Sequence, residues 1–149
     1  MVGIRCEIIT AERVVFKGDV DMVVAPGIDG QLGILPHHAP LMTALTIGEL
    51  VLHKAGQEDT IMAIGGGFME VGPEHVTILA DSAERAEEID ESRAEAARRR
   101  AEATMAQAHG EHEDLQKTEA ALRRSMLRLK VAKRKHGSRM KSGPPGIGK

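Results

Sequence analysis

Val76-Thr77-Ile78-Leu79-Ala80-Asp81-Ser82 begins as an alternating run and ends apolar on both sides, whereas Asp90-Glu91-Ser92-Arg93-Ala94 opens a stretch with helical spacing. A period of 2 marks a strand with one buried face and a period of 3.6 an amphipathic helix, so the fold changes class between these stretches. Backward from Asp81, Val2, Ile4, Cys6 and Ile8 alternate with Gly3, Arg5 and Glu7, and Leu50 and Leu52 alternate with Glu49, Val51 and His53. Turn signals separate the runs: Lys17-Gly18-Asp19, Pro26-Gly27-Ile28-Asp29-Gly30, Ile47-Gly48-Glu49, Ala55-Gly56-Gln57 and Gly72-Pro73-Glu74. Short strands with turns every ~8–12 residues predict an antiparallel β-sandwich or barrel. About 80 residues is small for such a core, so a supporting partner is expected.

Forward from Asp90, an N-cap residue, the pattern predicts a helix over about 91–108, with Ala94, Ala97, Ala101, Met105 and Ala108 in one narrow stripe. His109-Gly110-Glu111 interrupts it. A second helix, over about 112–135, carries Leu115, Leu122 and Leu129 seven apart, each followed three residues later by Thr118, Ser125 or Ala132. Small residues facing leucines let two antiparallel helices approach closely, but so thin a seam needs somewhere to dock. The predicted organisation is an antiparallel sandwich over 1–85, a two-helix hairpin over 86–136 and a flexible tail over 137–149.

Composition divides the chain in the same way. Residues 1–81 hold 4 Lys+Arg against 11 Asp+Glu, whereas residues 82–149 hold 16 against 11, so the overall net charge of -2 hides an acidic first part and a basic second. The 149 residues include two Phe and no Tyr or Trp. Nucleic-acid recognition by base stacking is therefore not expected. No apolar run reaches the ~18–20 residues of a spanning helix, and no signal or transit pattern opens the chain. Cys6, the lone cysteine, excludes an internal disulfide, fits a reducing compartment and reads as a small buried hydrophobe.

Candidate chemistry is sparse. Adjacent His37 and His38 point to opposite faces of an extended segment and have no supporting ligand, so no metal is expected. Gly65-Gly66-Gly67-Phe68 lacks the following helix that a phosphate loop needs and reads as a bulge or sheet corner. Between residues 123 and 141 stand Arg123, Arg124, Arg128, Lys130, Lys133, Arg134, Lys135, Arg139 and Lys141 with no acid among them. That is more cation than a helix C-terminus requires; an acidic protein surface, nucleic acid or anionic lipid would each be served. No nucleophile–base set appears, and a catalytic role is not expected.

Gly30-Gln31-Leu32-Gly33-Ile34-Leu35-Pro36-His37-His38-Ala39-Pro40-Leu41 resembles the loop signature of the epsilon subunit of bacterial F-type ATP synthases. Gly65-Gly66-Gly67-Phe68-Met69-Glu70-Val71, Val76 through Glu84, Ile89 through Ala94 and Ala121 through Leu129 extend the resemblance over about residues 2–135. It implies a ten-stranded sandwich at the foot of a rotary central stalk, bound to the gamma subunit and the ring of c subunits through Gln31, His38, Ala39 and Pro40. It also implies a mobile hairpin that extends into the catalytic alpha/beta subunits and inhibits ATP hydrolysis, with Lys133, Arg134 and Lys135 as its basic end. Gln31 stands where some relatives carry an acid, and His37 where a glycine is common.

Some relatives bind ATP between hairpin and sandwich. Glu84, Ile89, Asp90, Arg93, Ala94, Arg124 and Arg128 match that pattern, and three guanidiniums suit polyphosphate oxygens. ATP is thus expected as a regulatory ligand, with no required cofactor. The implied location is the cytoplasmic side of a bacterial plasma membrane, reached only through the complex. A stand-alone nucleotide sensor and a nucleic-acid-binding protein using the basic end are the competing functions.

Overall fold

The computed structural model describes residues 3–107 and 112–141, with side chains for 3–107 and 115–134. Two compact units make up the chain, Met1–Arg85 and Ala86–Lys149. The first carries eight strands: β1 (Ile4–Ile9), β2 (Val14–Val20), β3 (Met22–Gly27), β4 (Gly30–Ile34), β5 (Leu41–His53), β6 (Thr60–Val71), β7 (His75–Ala80) and β8 (Ala83–Arg85). Their order is β2-β1-β7-β6-β5-β3-β4, with β8 alongside β6. Every pair is antiparallel except β1 with β7, which is parallel. The long chain between these two strands supplies the crossover that a parallel pair needs and a tight turn cannot give.

Alternation decides what goes inside. Ile4, Cys6 and Ile8 of β1, Val23 of β3, Leu50 of β5, Met62, Ile64 and Met69 of β6, and Val76 and Ile78 of β7 are fully buried, and residues of all eight strands share one core. A sheet whose strands all turn the same face into one core must fold over on itself, which makes the unit a β-sandwich. With almost no rings available, the core is filled by branched aliphatics and methionine.

The fold-over is made at Gly65-Gly66-Gly67. Below it Gly67–Val71 pairs with β7, and above it Met62–Ile64 pairs with β8. Gly66 and Gly67 have φ of 109° and 136°, and a Cβ on Gly67 would overlap the Leu79 carbonyl oxygen. Only glycine accepts both constraints. The Gly65 N–H donates to Ser82 O (2.9 Å) and the Asp81 N–H to Gly66 O (3.0 Å) as the chain crosses from β7 to β8. The glycines are thus a sheet corner. Because β5 (13 residues) and β6 (12 residues) pass the corner unbroken, the strands number eight rather than the ten implied by resemblance.

In the second unit a single 3-10 turn, Ala86–Glu88, precedes α1 (Glu91–Gln107), and α2 spans His112–Lys141. Asp90 caps α1: its Oδ1 accepts from the Arg93 N–H (3.1 Å), and its carbonyl from the Ala94 N–H (3.0 Å). Ala94 and Ala101 of α1 and Ser125, Leu129, Val131 and Ala132 of α2 are buried. Ser125 satisfies its hydroxyl by donating to Ala121 O (2.9 Å). α2 runs six residues past the 135 expected from sequence, so residues 137–141 are helix and not tail. Gly137 weakens a helix by about 1 kcal/mol without stopping it; a residue that cannot be helical first appears at Pro144. The break expected at His109-Gly110-Glu111 and residues 142–149 of the expected tail lie outside the described residues.

Candidate functional site

Register brings five apolar residues into one line across five strands. Ala44 of β5 pairs with Phe68 of β6, Phe68 with Leu79 of β7, Leu79 with Ile9 of β1, and Ile9 with Val14 of β2. Paired residues share a face, and this is the face turned away from the core. Phe68 is 61% exposed, Leu79 55% and Val14 52%; Met42, two residues before Ala44 on the same face, is 72% exposed. A contiguous exposed apolar row of this length is not a neutral surface and marks a place where a partner docks.

Sequence reasoning missed this row. Its one visible trace was the failure of alternation at Ile78-Leu79-Ala80, where an apolar residue occupies the outward position.

The loop residues singled out by resemblance flank the row. Gln31 is exposed on β4, next to the turn carrying exposed Ile28, whose N–H donates to Ala44 O (3.0 Å). His38, half-buried, and Ala39 and Pro40, both exposed, lead into β5 just before Met42. A nitrogen of the His38 ring, Nδ1, lies 2.7 Å from Ala39 O. The same loop is held by the His37 N–H, which donates to Pro73 O (2.8 Å) while His37 takes a φ of 64°.

The residues expected to contact ATP are distributed differently. Glu84 lies on β8 opposite Ala63, whose other neighbour is Glu49. In the second unit Asp90 is the helix cap, Arg93 and Arg124 are exposed, and Arg128 is half-buried. Ala94 is fully buried and Ile89 nearly so, so neither presents surface to an adenine here.

Beside them a groove of about 420 Å³ is lined by Glu91, Glu95, Ala96 and Arg99 of α1 and by Leu129 and Lys133 of α2. Glu95 pairs with Arg98 and with Arg99, and Arg98 also reaches Glu102 (3.5 Å). The hydrogen bond from Arg98 holds the Glu95 carboxyl below its ordinary value against partial desolvation, and the charges of Arg98, Arg99 and Lys133 add to it. Lys133 and Arg134 are exposed, whereas the side chain of Lys135 lies outside the described residues.

Nucleophilic chemistry finds no support. Burial, with the Glu7 charge adding, pushes the Cys6 thiol up to about 12, so its thiolate is not formed near neutral pH. Among the described residues, no three His, Cys, Asp or Glu side chains gather as a metal would require. Nor is any helix long and apolar enough to cross a membrane.

A small sandwich with an exposed apolar row on its outer face, joined to a basic two-helix hairpin, has the features of an accessory subunit that works by docking. Comparison with known families makes this specific. Residues 3–86 match the ATP synthase delta/epsilon chain β-sandwich domain, and residues 87–133 the long α-helix domain of the same chain. The chain belongs to the ATP synthase delta/epsilon family, as an epsilon-type subunit of the F-type enzyme that does not itself catalyse.

The chain is 56% identical over 138 residues to the ATP synthase epsilon chain of Dehalococcoides mccartyi, covering 91% of this chain and 98% of that one. To the epsilon chain of Herpetosiphon aurantiacus it is 57% identical over 130 residues, 87% of this chain and 94% of the other. A chain in the Euglena gracilis mitochondrial ATP synthase, solved as OSCP/F1/c-ring, shares the fold with a TM-score of 0.72 at 22% identity, covering 83% of this chain and 77% of that one.

Proposed function

We propose that the sandwich docks on the gamma subunit through the Phe68–Leu79 row and on the c-ring through the turn bearing Gln31, with His38, Ala39 and Pro40 at the junction. The subunit then couples proton flow to ATP synthesis as part of the central stalk, peripheral to the cytoplasmic face of a bacterial plasma membrane. The observation that carries this reading is the exposed apolar row, which has no use in an unpartnered protein. The loops carrying the interface residues sit beside it rather than elsewhere on the sandwich.

The hairpin has the regulatory role. Lys133, Arg134 and Lys135 meet acidic segments of the catalytic alpha/beta subunits and brake ATP hydrolysis; an excess of one charge on one helix end is suited to a complementary surface. ATP is a second ligand of the hairpin, favoured by exposed Arg93 and Arg124 on its two helices. If it binds one hairpin conformation alone, it shifts the balance toward that form. Reconstitution tests the whole reading: added to ATP synthase depleted of its epsilon subunit, the chain should restore proton-coupled synthesis. With Lys133, Arg134 and Lys135 changed to Ala it should restore synthesis yet leave hydrolysis faster than with the wild-type chain. Failure to restore synthesis overturns the docking; unchanged hydrolysis overturns the brake.

A further inference from the structure

Lys133, a member of the basic end, does not project into open solvent alone. It lines the same groove as Glu91 and Glu95 of α1, with Leu129 of α2 as the apolar floor between them. Glu95 is the charge centre of that groove. It is bound by Arg98 and lies 3.5 Å from Arg99, yet it also feels Lys133 from the facing helix. Apart from Leu129 and Val131, the buried residues of the two helices, Ala94, Ala101, Ser125 and Ala132, are small. Little apolar surface therefore opposes their parting, and the charges across the groove weigh more than they would over a large core.

We propose that Glu95 is an internal counter-ion for Lys133, so that the closed hairpin masks a cation which the brake needs. The inference rests on the inhibitory reading of the basic end. A lysine whose charge is balanced by an acid of α1 attracts an acid on another subunit less strongly. Engaging that acid requires α2 to part from α1 at this groove, so that Lys133 exchanges Glu95 for the carboxylate of the other subunit. Glu95 thereby sets how readily the hairpin is released. Removing its charge should favour the released form by roughly two- to fivefold, the span of an exposed ion pair. Glu102 serves as the control, because it also pairs with Arg98 but does not line the groove.

The test measures ATP hydrolysis by the assembled enzyme carrying wild-type, Glu95→Gln, Lys133→Ala, the double variant or Glu102→Gln. Glu95→Gln should deepen inhibition by that two- to fivefold factor, Lys133→Ala should relieve it, and the double variant should match Lys133→Ala alone. Glu102→Gln should behave as wild type. If Lys133→Ala relieves inhibition while Glu95→Gln changes nothing, the counter-ion is wrong and the brake stands. If Glu102→Gln equals Glu95→Gln, the effect belongs to the α1 ion-pair chain and the counter-ion is again wrong. If no variant changes hydrolysis, the reading of the basic end falls with it.

Discussion

His37 holds a backbone φ of 64°, a left-handed conformation in which an L side chain crowds the following carbonyl. The exposed ring gains nothing from burial there, and the loop is fixed instead by the hydrogen bond from the His37 N–H to Pro73 O. Glycine would keep that bond and relieve strain of about 1–2 kcal/mol, at an entropic cost of about 0.5–1 kcal/mol in the unfolded chain. His37→Gly should therefore stabilise the sandwich by up to about 1 kcal/mol in urea unfolding. A lower unfolding midpoint would show that the histidine makes a contact worth more than the strain.

At the scale of elements, Asp90 is the clearest case of a residue with two readings. The resemblance gives it to ATP, whereas the structure gives it a cap on α1. Asp90→Ala should cost about 1 kcal/mol of hairpin stability, and Asp90→Ser almost nothing, because a hydroxyl caps as well. Equal loss in thermal melts followed by helical circular dichroism would remove the cap as the cause.

Glu95 yields a pH dependence. Its folded value lies below that of an ordinary glutamate, so its contribution is present above the ordinary value and is lost as pH falls through the lowered folded one. The groups facing it are Arg98, Arg99 and Glu91 on α1 and Lys133 on α2. Hairpin stability of the wild type should exceed that of Glu95→Gln near pH 7 and converge with it in that acid window. A difference that persists at pH 2 would assign the effect to packing.

Legibility follows the same physics. The strands of β1 and β7 were readable because one face is buried and the other is not, and the glycine corner because no helix follows it. The parallel partnership of β1 and β7 was not, since pairing over about 70 residues leaves no local pattern. Nor was the apolar row, because its five members come from five strands and meet only through register. On α2, Leu129 and Ala132 stood out by spacing, but Val131 did not; its burial lies outside the seven-residue repeat.

For the whole molecule, the two units divide the work according to composition. The acidic sandwich is held by a dense aliphatic core and offers an exposed apolar row; the basic hairpin is held by a thin seam and offers charge. The account depends above all on that row being the one that binds gamma. The most direct test is calorimetric titration of the purified gamma subunit with the full chain and with its Phe68→Glu/Leu79→Glu variant. Both side chains are largely exposed, so the variant should stay folded, melting somewhat below the wild type because two like charges then face each other across β6 and β7. The account predicts a one-to-one complex for the wild type and, for the variant, a dissociation constant raised about a hundredfold or more, as expected for two buried apolar anchors. A variant that folds normally and binds gamma as tightly as the wild type would contradict it.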